Sequence, residues 1–326
     1  MELTAARTPR PRRPSGEALV WLVTASLLVA GSLLPQANTE LLVTAAGGLL
    51  SLLPVVALAA ALAGALNLGH WSQRALAWVE GGPTRAVVVA SLAGAVTPVC
   101  GLGVLPLIAT LLRRGLPLAP VMAFWVSSPI MGPSMVVVTI SIIGLPFAVA
   151  KALAAFGAGV LAGTVTGLLP GYGGPGRRMM RPEHLEKYGC GSEEGGFWHE
   201  ARASARLVMR WLALALVLEV FLQRLVPDAW IASLFSEDSA ASIPLAAVIG
   251  APMYLDGYAA LPLVRGLMDM GMSFGAALAL MVSGAAVSLY AAVAVASIVR
   301  TRVFMLYVVL AMVGACAAGY VASWLS

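Results

Sequence analysis

Residues 97–134 read TPVCGLGVLPLIATLLRRGLPLAPVMAFWVSSPIMGPS, an apolar stretch that prolines and glycines interrupt repeatedly. An uninterrupted membrane-spanning helix would not contain so many helix breakers. In hydrocarbon, backbone groups without hydrogen-bond partners are tolerated only where protein or a water-filled cavity surrounds them. An interrupted apolar segment is therefore the best indication, at the level of sequence, of a transport site.

The composition of the whole chain is that of a membrane protein. Of its 326 residues, 60% are hydrophobic and 11% are charged, and the mean hydropathy is +0.90. Soluble proteins have about 25% charged and about 45–50% apolar residues. We therefore predict an all-α polytopic membrane protein. The net charge of +5 does not indicate a nucleic-acid partner, because basic residues in short loops set the orientation of membrane proteins.

The order of apolar and polar segments divides the chain into five parts. We expect a cytoplasmic basic tail over 1–17, an extra N-terminal transmembrane helix over 18–40, a first membrane repeat over 41–169, a cytoplasmic loop over 170–206 and a second membrane repeat over 207–326. The basic N-terminus resembles the start of a signal peptide. Because no convincing cleavage pattern follows and further spans do, we expect the first helix to be retained.

A fainter copy of the interrupted stretch recurs downstream. The interval from Pro106 to Gly115 is nine residues, and so is the interval from Pro262 to Gly271. A shift of 156 residues (271 minus 115) aligns the two stretches. The matched spacing of proline and glycine predicts an internal repeat.

Charge decides how the two copies are oriented. The segment that leads into the first copy is basic and contains Arg85. The segment that leads into the second copy is acidic and contains Asp228 and Glu237. By the positive-inside rule, the first begins in the cytoplasm and the second outside, so we predict inverted repeats. Each repeat contains a re-entrant hairpin (85–114 and 242–269) and a broken transmembrane helix (116–143 and 272–299). The N-terminus is then cytoplasmic and the C-terminus outside.

Two residues are predicted at the tips of the hairpins. Cys100 could bind a soft ion or a trivalent metalloid, or it could be a small buried hydrophobic residue. Asp256 lies at the matching tip of the second hairpin. A carboxylate at membrane depth costs about 2.5–3.5 kcal/mol and usually lines a pathway or a proton relay, whereas at the interface it would merely be solvated.

Other charged residues lie within the apolar segments or at their ends. Glu219 is either a coupling-proton site or the structural partner of Arg224. Lys151, one helical turn inside its span, is expected to snorkel to the outer interface. Arg113–Arg114 and the aligned Arg265 and Asp269 are expected to anchor the topology, with attraction of an anionic substrate as the alternative.

Small polar residues mark the two predicted helix breaks. Ser127, Ser128 and Gly132 lie at the first break. Ser283, Gly284 and Ser288 lie at the second. The ends of half-helices offer backbone groups and dipoles to a substrate, while tight helix packing through small residues is a second explanation.

Several other classes of site are not supported. The cysteines, three in all, are too scattered for a disulfide framework. His184, Cys190 and His199 do not have a usual zinc spacing. No phosphate-binding loop of the G-x-x-x-x-G-K-[ST] type is present, and neither is G-x-S-x-G or H-E-x-x-H. We expect no catalytic residues, no metal site and no cofactor.

The stretch 97–133 resembles the predicted bacterial permeases that include the methylarsenite efflux permeases. Their first motif reads approximately T-P-x-C-S-C-G-x-x-P, followed by a glycine and a later F-L-x-x-S-P-x-x-N-P. The matching residues are Thr97, Pro98, Cys100, Gly103, Pro106, Gly115, Phe124, Ser128, Pro129 and Pro133. The second family motif, P-x-Y-x-C ahead of a proline, is similar to Pro252, Tyr254 and Pro262.

The departures from this pattern concern the expected substrate. Leu102 replaces the second cysteine of the first motif, Asp256 replaces the cysteine of the second, and Gly132 replaces the asparagine. The resemblance implies the permease fold and a transport role, but an arsenical held by several thiolates does not carry over. A carboxylate in place of a thiol favours a harder cation, a proton or a polar organic solute.

The first hypothesis is thus a secondary transporter of the bacterial inner membrane that exports a small solute, metalloid or ion. We expect it to contact lipid, and a homo-oligomer is one assembly that we consider. The candidate substrate-binding residues are Thr97, Cys100, Ser127, Ser128, Tyr254, Asp256 and Ser283, and the candidate proton-coupling residues are Asp256 and Glu219. The alternatives are a non-transporting membrane subunit or scaffold of a multi-component system and, less well supported, an intramembrane enzyme.

Overall fold

The computed structural model describes residues 82–97, 104–113, 115–172, 241–253, 260–288 and 298–325, together with Ser26, Ala292, Val295 and Ala296. The regular structure in these ranges is α-helical, and no β-strand occurs among them. The prediction of an all-α protein is confirmed to this extent. The predicted tail, the first helix apart from Ser26, the loop beyond Tyr172 and the helix over 207–225 lie outside the described residues.

The described helices are numbered here in chain order. They are α1 (Pro83–Val96), α2 (Val104–Arg113), α3 (Leu118–Ser127), α4 (Pro133–Ile142), α5 (Leu145–Leu168), α6 (Ser242–Gly250), α7 (Ala260–Asp269), α8 (Phe274–Ala286) and α9 (Thr301–Leu325).

Two of these helices, α5 and α9, are long and apolar enough to cross a membrane. They have 24 and 25 residues, which correspond to about 36 and 38 Å, against a hydrocarbon core of about 30 Å. Their outer faces expose large apolar side chains such as Leu153 (65% exposed) and Val321 (59% exposed). Apolar surface of this kind is typical of lipid-facing helices and rare on soluble monomers.

The start of α5 differs slightly from the prediction. The sequence predicts a break over 144–146 and a helix from Phe147, whereas α5 begins at Leu145. Gly144 has a φ of 130° and forms the turn. Pro146 lies in the first turn of the helix, where its missing N–H would have no intrahelical partner.

Several helix bounds in the two halves of the described structure differ by 156 residues, although those of α1 (83–96) and α6 (242–250) do not. Adding 156 to both ends of α2 (104 and 113) gives the ends of α7 (260 and 269), and adding it to the starts of α3 and α5 (118 and 145) gives the starts of α8 and α9 (274 and 301).

The turns that close α2 and α7 also match. Gly115 and Gly271 have positive φ values of 85° and 106°, which favour glycine. In each turn the next N–H reaches back five residues, from Leu116 to Leu111 O (3.2 Å) and from Met272 to Leu267 O (3.0 Å). This is the Schellman closure of a helix.

Glycines allow α3 and α5 to pack closely and antiparallel. A Cβ on Gly159 would lie 2.9 Å from Ser127 Cβ, one on Gly163 would lie 2.8 Å from Ala123 Cβ, and one on Gly167 would lie 3.5 Å from Ala119 Cβ. The residue numbers rise on α5 as they fall on α3. In the second half, α8 and α9 are also antiparallel. A Cβ on Gly319 would lie 3.0 Å from Ala279 Cβ, and one on Gly275 would lie 2.8 Å from Ser323 Cβ.

The two long helices contact each other and run antiparallel. A Cβ on Gly314 of α9 would lie 2.9 Å from Ala158 Cβ of α5. Near the start of α5, the Phe147 ring is 5.2 Å from the Phe274 ring. A Cβ on the next residue, Gly275, would lie 2.8 Å from Ser323 Cβ near the end of α9. The start of α5 therefore lies beside the end of α9.

We predict that Gly250→Ala lowers the free energy of unfolding by about 1–3 kcal/mol, as overpacking does. Its new Cβ would lie 2.5 Å from the backbone oxygen of Leu280, which cannot move without shifting α8. Gly266→Ala on α7 is the control, because its Cβ would meet nothing within 4 Å and alanine favours a helix. The measurement is thermal unfolding of the purified protein, and equal melting temperatures for the two variants would contradict the prediction.

Candidate functional site

The end of α3 lies at the crossing of the two long helices. Ser127, the last residue of α3, packs against Gly159. The preceding residue on α5, Ala158, packs against Gly314. A helix that ends in the middle of a bundle leaves polar backbone groups there. These groups and the nearby side chains form the candidate site.

Ser127 and Ser283 occupy corresponding positions and have the same contacts. The Ser127 hydroxyl donates to Phe124 O at 3.2 Å, and the Ser283 hydroxyl donates to Leu280 O at 3.1 Å. Each hydroxyl also abuts a glycine of the preceding helix, Gly94 or Gly250. The structure therefore gives both serines a packing role; their contact with a substrate stays a prediction.

Three buried polar atoms among the described residues have no hydrogen-bond partner. They are Ser91 Oγ, Trp125 Nε1 and Ser128 Oγ. Ser91, Trp125 and Ser128 are at most 2% exposed. Since nearly all buried polar atoms in proteins are paired, each such atom needs an explanation. All three can donate a hydrogen bond, and all three belong to α1 or to the end of α3.

The other predicted site residues are only partly described. Thr97 follows α1, and both its N–H and its hydroxyl donate to Ala93 O. Cys100, Tyr254, Asp256 and Glu219 lie outside the described residues. The predicted meeting of the two hairpin tips therefore stays a prediction.

An aromatic pair that the sequence analysis missed joins the two halves. The Trp125 ring of α3 stacks on the Tyr307 ring of α9, with centroids 4.6 Å apart and an interplanar angle of 20°. The Tyr307 hydroxyl donates to Ala286 O, the last residue of α8. The available signal was a tyrosine in the middle of an otherwise apolar helix, since a buried Tyr hydroxyl normally finds a partner.

The expectation that Lys151 snorkels to the interface is wrong. Its side chain is 0% exposed and lies inside the bundle. The three residues that follow Lys151 at intervals of four, Ala155, Gly159 and Gly163, are buried and small. Residues four apart share one face of a helix, so this series was the sequence signal that Lys151 points towards α3 and its neighbours.

The charged pair at the end of α7 is exposed. Arg265 Nε lies 3.1 Å from an oxygen of Asp269, and the two side chains are 48% and 60% exposed. Such pairs contribute little to stability. The Arg265 guanidinium also donates to Ile143 O at 3.3 Å, so it joins the end of α7 to the end of α4.

No group of three or more His, Cys, Asp or Glu side chains that could hold a metal occurs within the described part of the chain. His184, Cys190 and His199 lie outside it. Cys316 is half-buried and packs against the hydrophobic core.

Two apolar helices long enough to cross a membrane, shorter apolar helices and helix ends inside the bundle are features expected of a polytopic membrane protein. The ArsP_1 family, described as predicted permease, matches residues 37–324. The chain therefore belongs to this predicted permease family, which indicates a membrane transporter rather than an enzyme.

One curated relative is distant and overlaps only in part. The chain is 24% identical over 117 residues to UPF0718 protein MJ0584 of Methanocaldococcus jannaschii, covering 36% of this chain and 32% of the relative. The chain thus matches about a third of that protein's length. No solved structure matches the chain.

We predict that Ser128→Ala leaves the free energy of unfolding of the ligand-free protein unchanged or raises it by about 1 kcal/mol, because the hydroxyl is buried without a partner. The melting temperature should therefore stay the same or rise. Ser141→Ala is the control. Its exposed hydroxyl donates to Val137 O at 2.9 Å, so its loss has little effect. A melting temperature for Ser128→Ala clearly below that of Ser141→Ala would show that the Ser128 hydroxyl is satisfied within the protein.

Proposed function

We propose that the protein is a secondary transporter that exports a small solute or ion across the bacterial inner membrane through a site near the membrane midplane. The observation that carries this proposal is the position of Ser127. There α3 ends inside the bundle, at the crossing of the two spanning helices, and leaves unpaired polar atoms nearby. In membrane proteins, helices interrupted at this depth form the substrate sites of transporters.

We also infer that the two halves are inverted repeats. The common shift of 156 residues in helix bounds supports a repeat, and the antiparallel course of α5 and α9 supports inversion. The contact between Ala158 and Gly314 adds to this, because their numbers also differ by 156. Two equivalent positions that touch each other are expected at an approximate two-fold axis. With such an axis in the membrane plane, equivalent helices have opposite directions.

The two hairpins belong to this proposal. Helices α1 and α2, with 14 and 10 residues, are shorter than the 20 or so residues of a spanning helix. The same holds for α6 and α7, with 9 and 10 residues. Two short helices joined by a tip suit a re-entrant hairpin. Alternating access would follow from rocking of one repeat against the other around the fixed site.

Inversion gives a test of topology. In a variant whose native cysteines are serine, we expect single cysteines at Leu145 and Trp324 to react with a membrane-impermeant maleimide in intact cells. Cysteines at Gly171 and Arg300 should react only after the cells are opened, because the positive-inside rule places Arg300 in the cytoplasm. Labelling of positions 171 and 324 from the same side would contradict the inverted arrangement.

Transport itself is tested with purified protein. A thermal-stabilisation screen over arsenite, antimonite, divalent metal ions and small organic anions selects the solute to be assayed for uptake into proteoliposomes. We expect saturable uptake that exceeds that of protein-free liposomes. No uptake of any of these solutes would contradict a transport function.

We predict that Asp256→Asn lowers this uptake about tenfold or more, the equivalent of about 1.4 kcal/mol, and flattens its pH dependence, because a carboxylate at membrane depth, where the sequence predicts Asp256, is suited to a proton relay. Asp269→Asn is the control, since that carboxylate is exposed. If Asp256→Asn left both the rate and the pH dependence unchanged, Asp256 would have no role in coupling.

A further inference from the structure

A long groove lies between the two spanning helices, on the side of their contact where α5 begins and α9 ends. It extends along α5 from Pro146 to Leu161 and along α9 from Gly314 to Leu325, and its volume is about 530 Å³. The described residues that line it are all apolar. The serines at the end of α3 are not among them, so the groove is separate from the candidate transport site.

Small side chains on one face of α5 create this groove. Ala150, Ala154 and Gly157 line it, and a Cβ on Gly157 would meet nothing within 4 Å. At the positions 156 residues later, α9 has larger side chains: Leu306, Leu310 and Val313. The shared arrangement of the two halves therefore does not require a groove, which depends on the small residues of α5.

The groove opens towards the lipid-facing surface of the protein. Its floor is buried, since Ala158 is 5% exposed and Leu278 of α8 is 1% exposed. Its edges include the exposed side chains of Leu153 and Val321. An empty groove would leave the atoms of its floor without dispersion contacts on one side. In a membrane we therefore expect an apolar occupant.

The dimensions of the groove decide between the possible occupants. The 15 residue steps from Pro146 to Leu161 correspond to about 22 Å, and 530 Å³ divided by this length gives a mean cross-section of about 24 Å². A helix about 10 Å across needs about 80 Å². A hydrocarbon chain whose neighbours lie about 4–4.5 Å away needs about 15 Å². The groove thus holds one hydrocarbon chain and is too narrow for a helix.

The position of the groove matches the depth of one leaflet. It starts where α5 begins and α9 ends, and it stops at Leu161, just past the middle of α5 (Leu145–Leu168). Half of the hydrocarbon core is about 15 Å thick. Trp324, near the end of α9, is 90% exposed, and exposed tryptophan is typical of the membrane interface. The groove therefore runs from the interface towards the midplane, as the acyl chains of one leaflet do.

We propose that the groove between α5 and α9 binds one acyl chain of a membrane phospholipid, with the headgroup beside the start of α5. With the topology proposed above, this phospholipid belongs to the outer leaflet. No charged side chain lines the groove in the described part of the chain, so binding does not select a headgroup. The inference goes beyond the transport function, because it concerns a second site and holds whichever solute is carried. Since α5 and α9 belong to different halves, the bound chain packs against both.

The test is thermal stabilisation of the purified full-length protein in detergent by dioleoyl phosphatidylcholine, phosphatidylethanolamine and phosphatidylglycerol. We expect each phospholipid to raise the melting temperature saturably. The three apparent Kd values should agree to within about threefold, because recognition of a headgroup would need charged residues.

The double variant Ala150→Leu, Gly157→Val gives the groove the side chains that α9 has at the equivalent positions. It should raise these Kd values about tenfold or more, because the added side chains take the place of the acyl chain and its contacts. Val309→Leu is the matched control, since it adds one methylene group at an exposed position (52% exposed) that does not line the groove. If the double variant does not fold, Gly157→Leu alone replaces it.

Two results would overturn the proposal. One is the absence of saturable stabilisation of the wild type by the three phospholipids, and the other is a Kd in the folded groove variant equal to that of Val309→Leu. Stabilisation by phosphatidylglycerol alone would contradict the acyl-chain site as well, because it would show a site for an anionic headgroup.

Photocrosslinking in native membranes identifies the occupant directly. A benzophenone amino acid in place of Leu161, which lines the groove, should give an adduct with the mass of a phospholipid. The same amino acid in place of the exposed Val309 shows that the reaction with lipid works. A crosslinked dimer at Leu161 would identify a second copy as the occupant, and a crosslink to another segment of the same chain would identify that segment. Either result, or an adduct at Val309 without one at Leu161, would overturn the proposal.

Discussion

The structure depends on one constraint, which is that a helix ending inside an apolar bundle must have its polar backbone groups satisfied or enclosed by protein. The helix α3 ends at Ser127 and α4 begins at Pro133. Within this break the Ser128 N–H donates to Phe124 O (3.1 Å), and the Ile130 N–H donates to Ser127 O (3.4 Å). Pro133 has no N–H to satisfy. The remaining groups are shielded because α1 and α5 pack tightly around the end of α3.

This enclosure explains where the glycines lie. Gly94 and Gly159 meet the last turn of α3 from two sides, and Gly250 meets the corresponding turn of α8. At each of them a Cβ would overlap a backbone oxygen or a serine side chain. Small residues let helices approach closely in membranes, where packing and hydrogen bonds replace the hydrophobic effect as the attraction between helices. The same residues that break up the sequence pattern thus permit the bundle to close around the breaks.

Prediction from sequence was most accurate where local chemistry decides the structure. Proline and glycine restrict the backbone whatever surrounds them, so the helix end near Ser127 and the turns at Gly115 and Gly271 were visible in the sequence. Lys151 was misjudged for the opposite reason. A lysine one turn inside a span either snorkels or points inward. The small residues Ala155, Gly159 and Gly163 on its face favour the inward direction, and the packing of α3 against that face decides it. The stacking of Trp125 on Tyr307 also joins residues far apart in the chain. A tyrosine in an apolar helix indicates that its hydroxyl has a partner, but it does not indicate which residues the ring contacts.

The sequence by itself determined the membrane class, the break after Ser127, the turns at Gly115 and Gly271 and the spacing shared by the two halves, because composition, proline and glycine act over a few residues. The tertiary structure alone decided which polar groups are buried together near the end of α3. It also decided that Lys151 lies inside the bundle while its equivalent, Tyr307, bonds to Ala286 O. Burial is a property of the helices that surround a residue. In a chain this apolar, the faces of a helix differ little in polarity, so packing decides which of them lie inside the bundle.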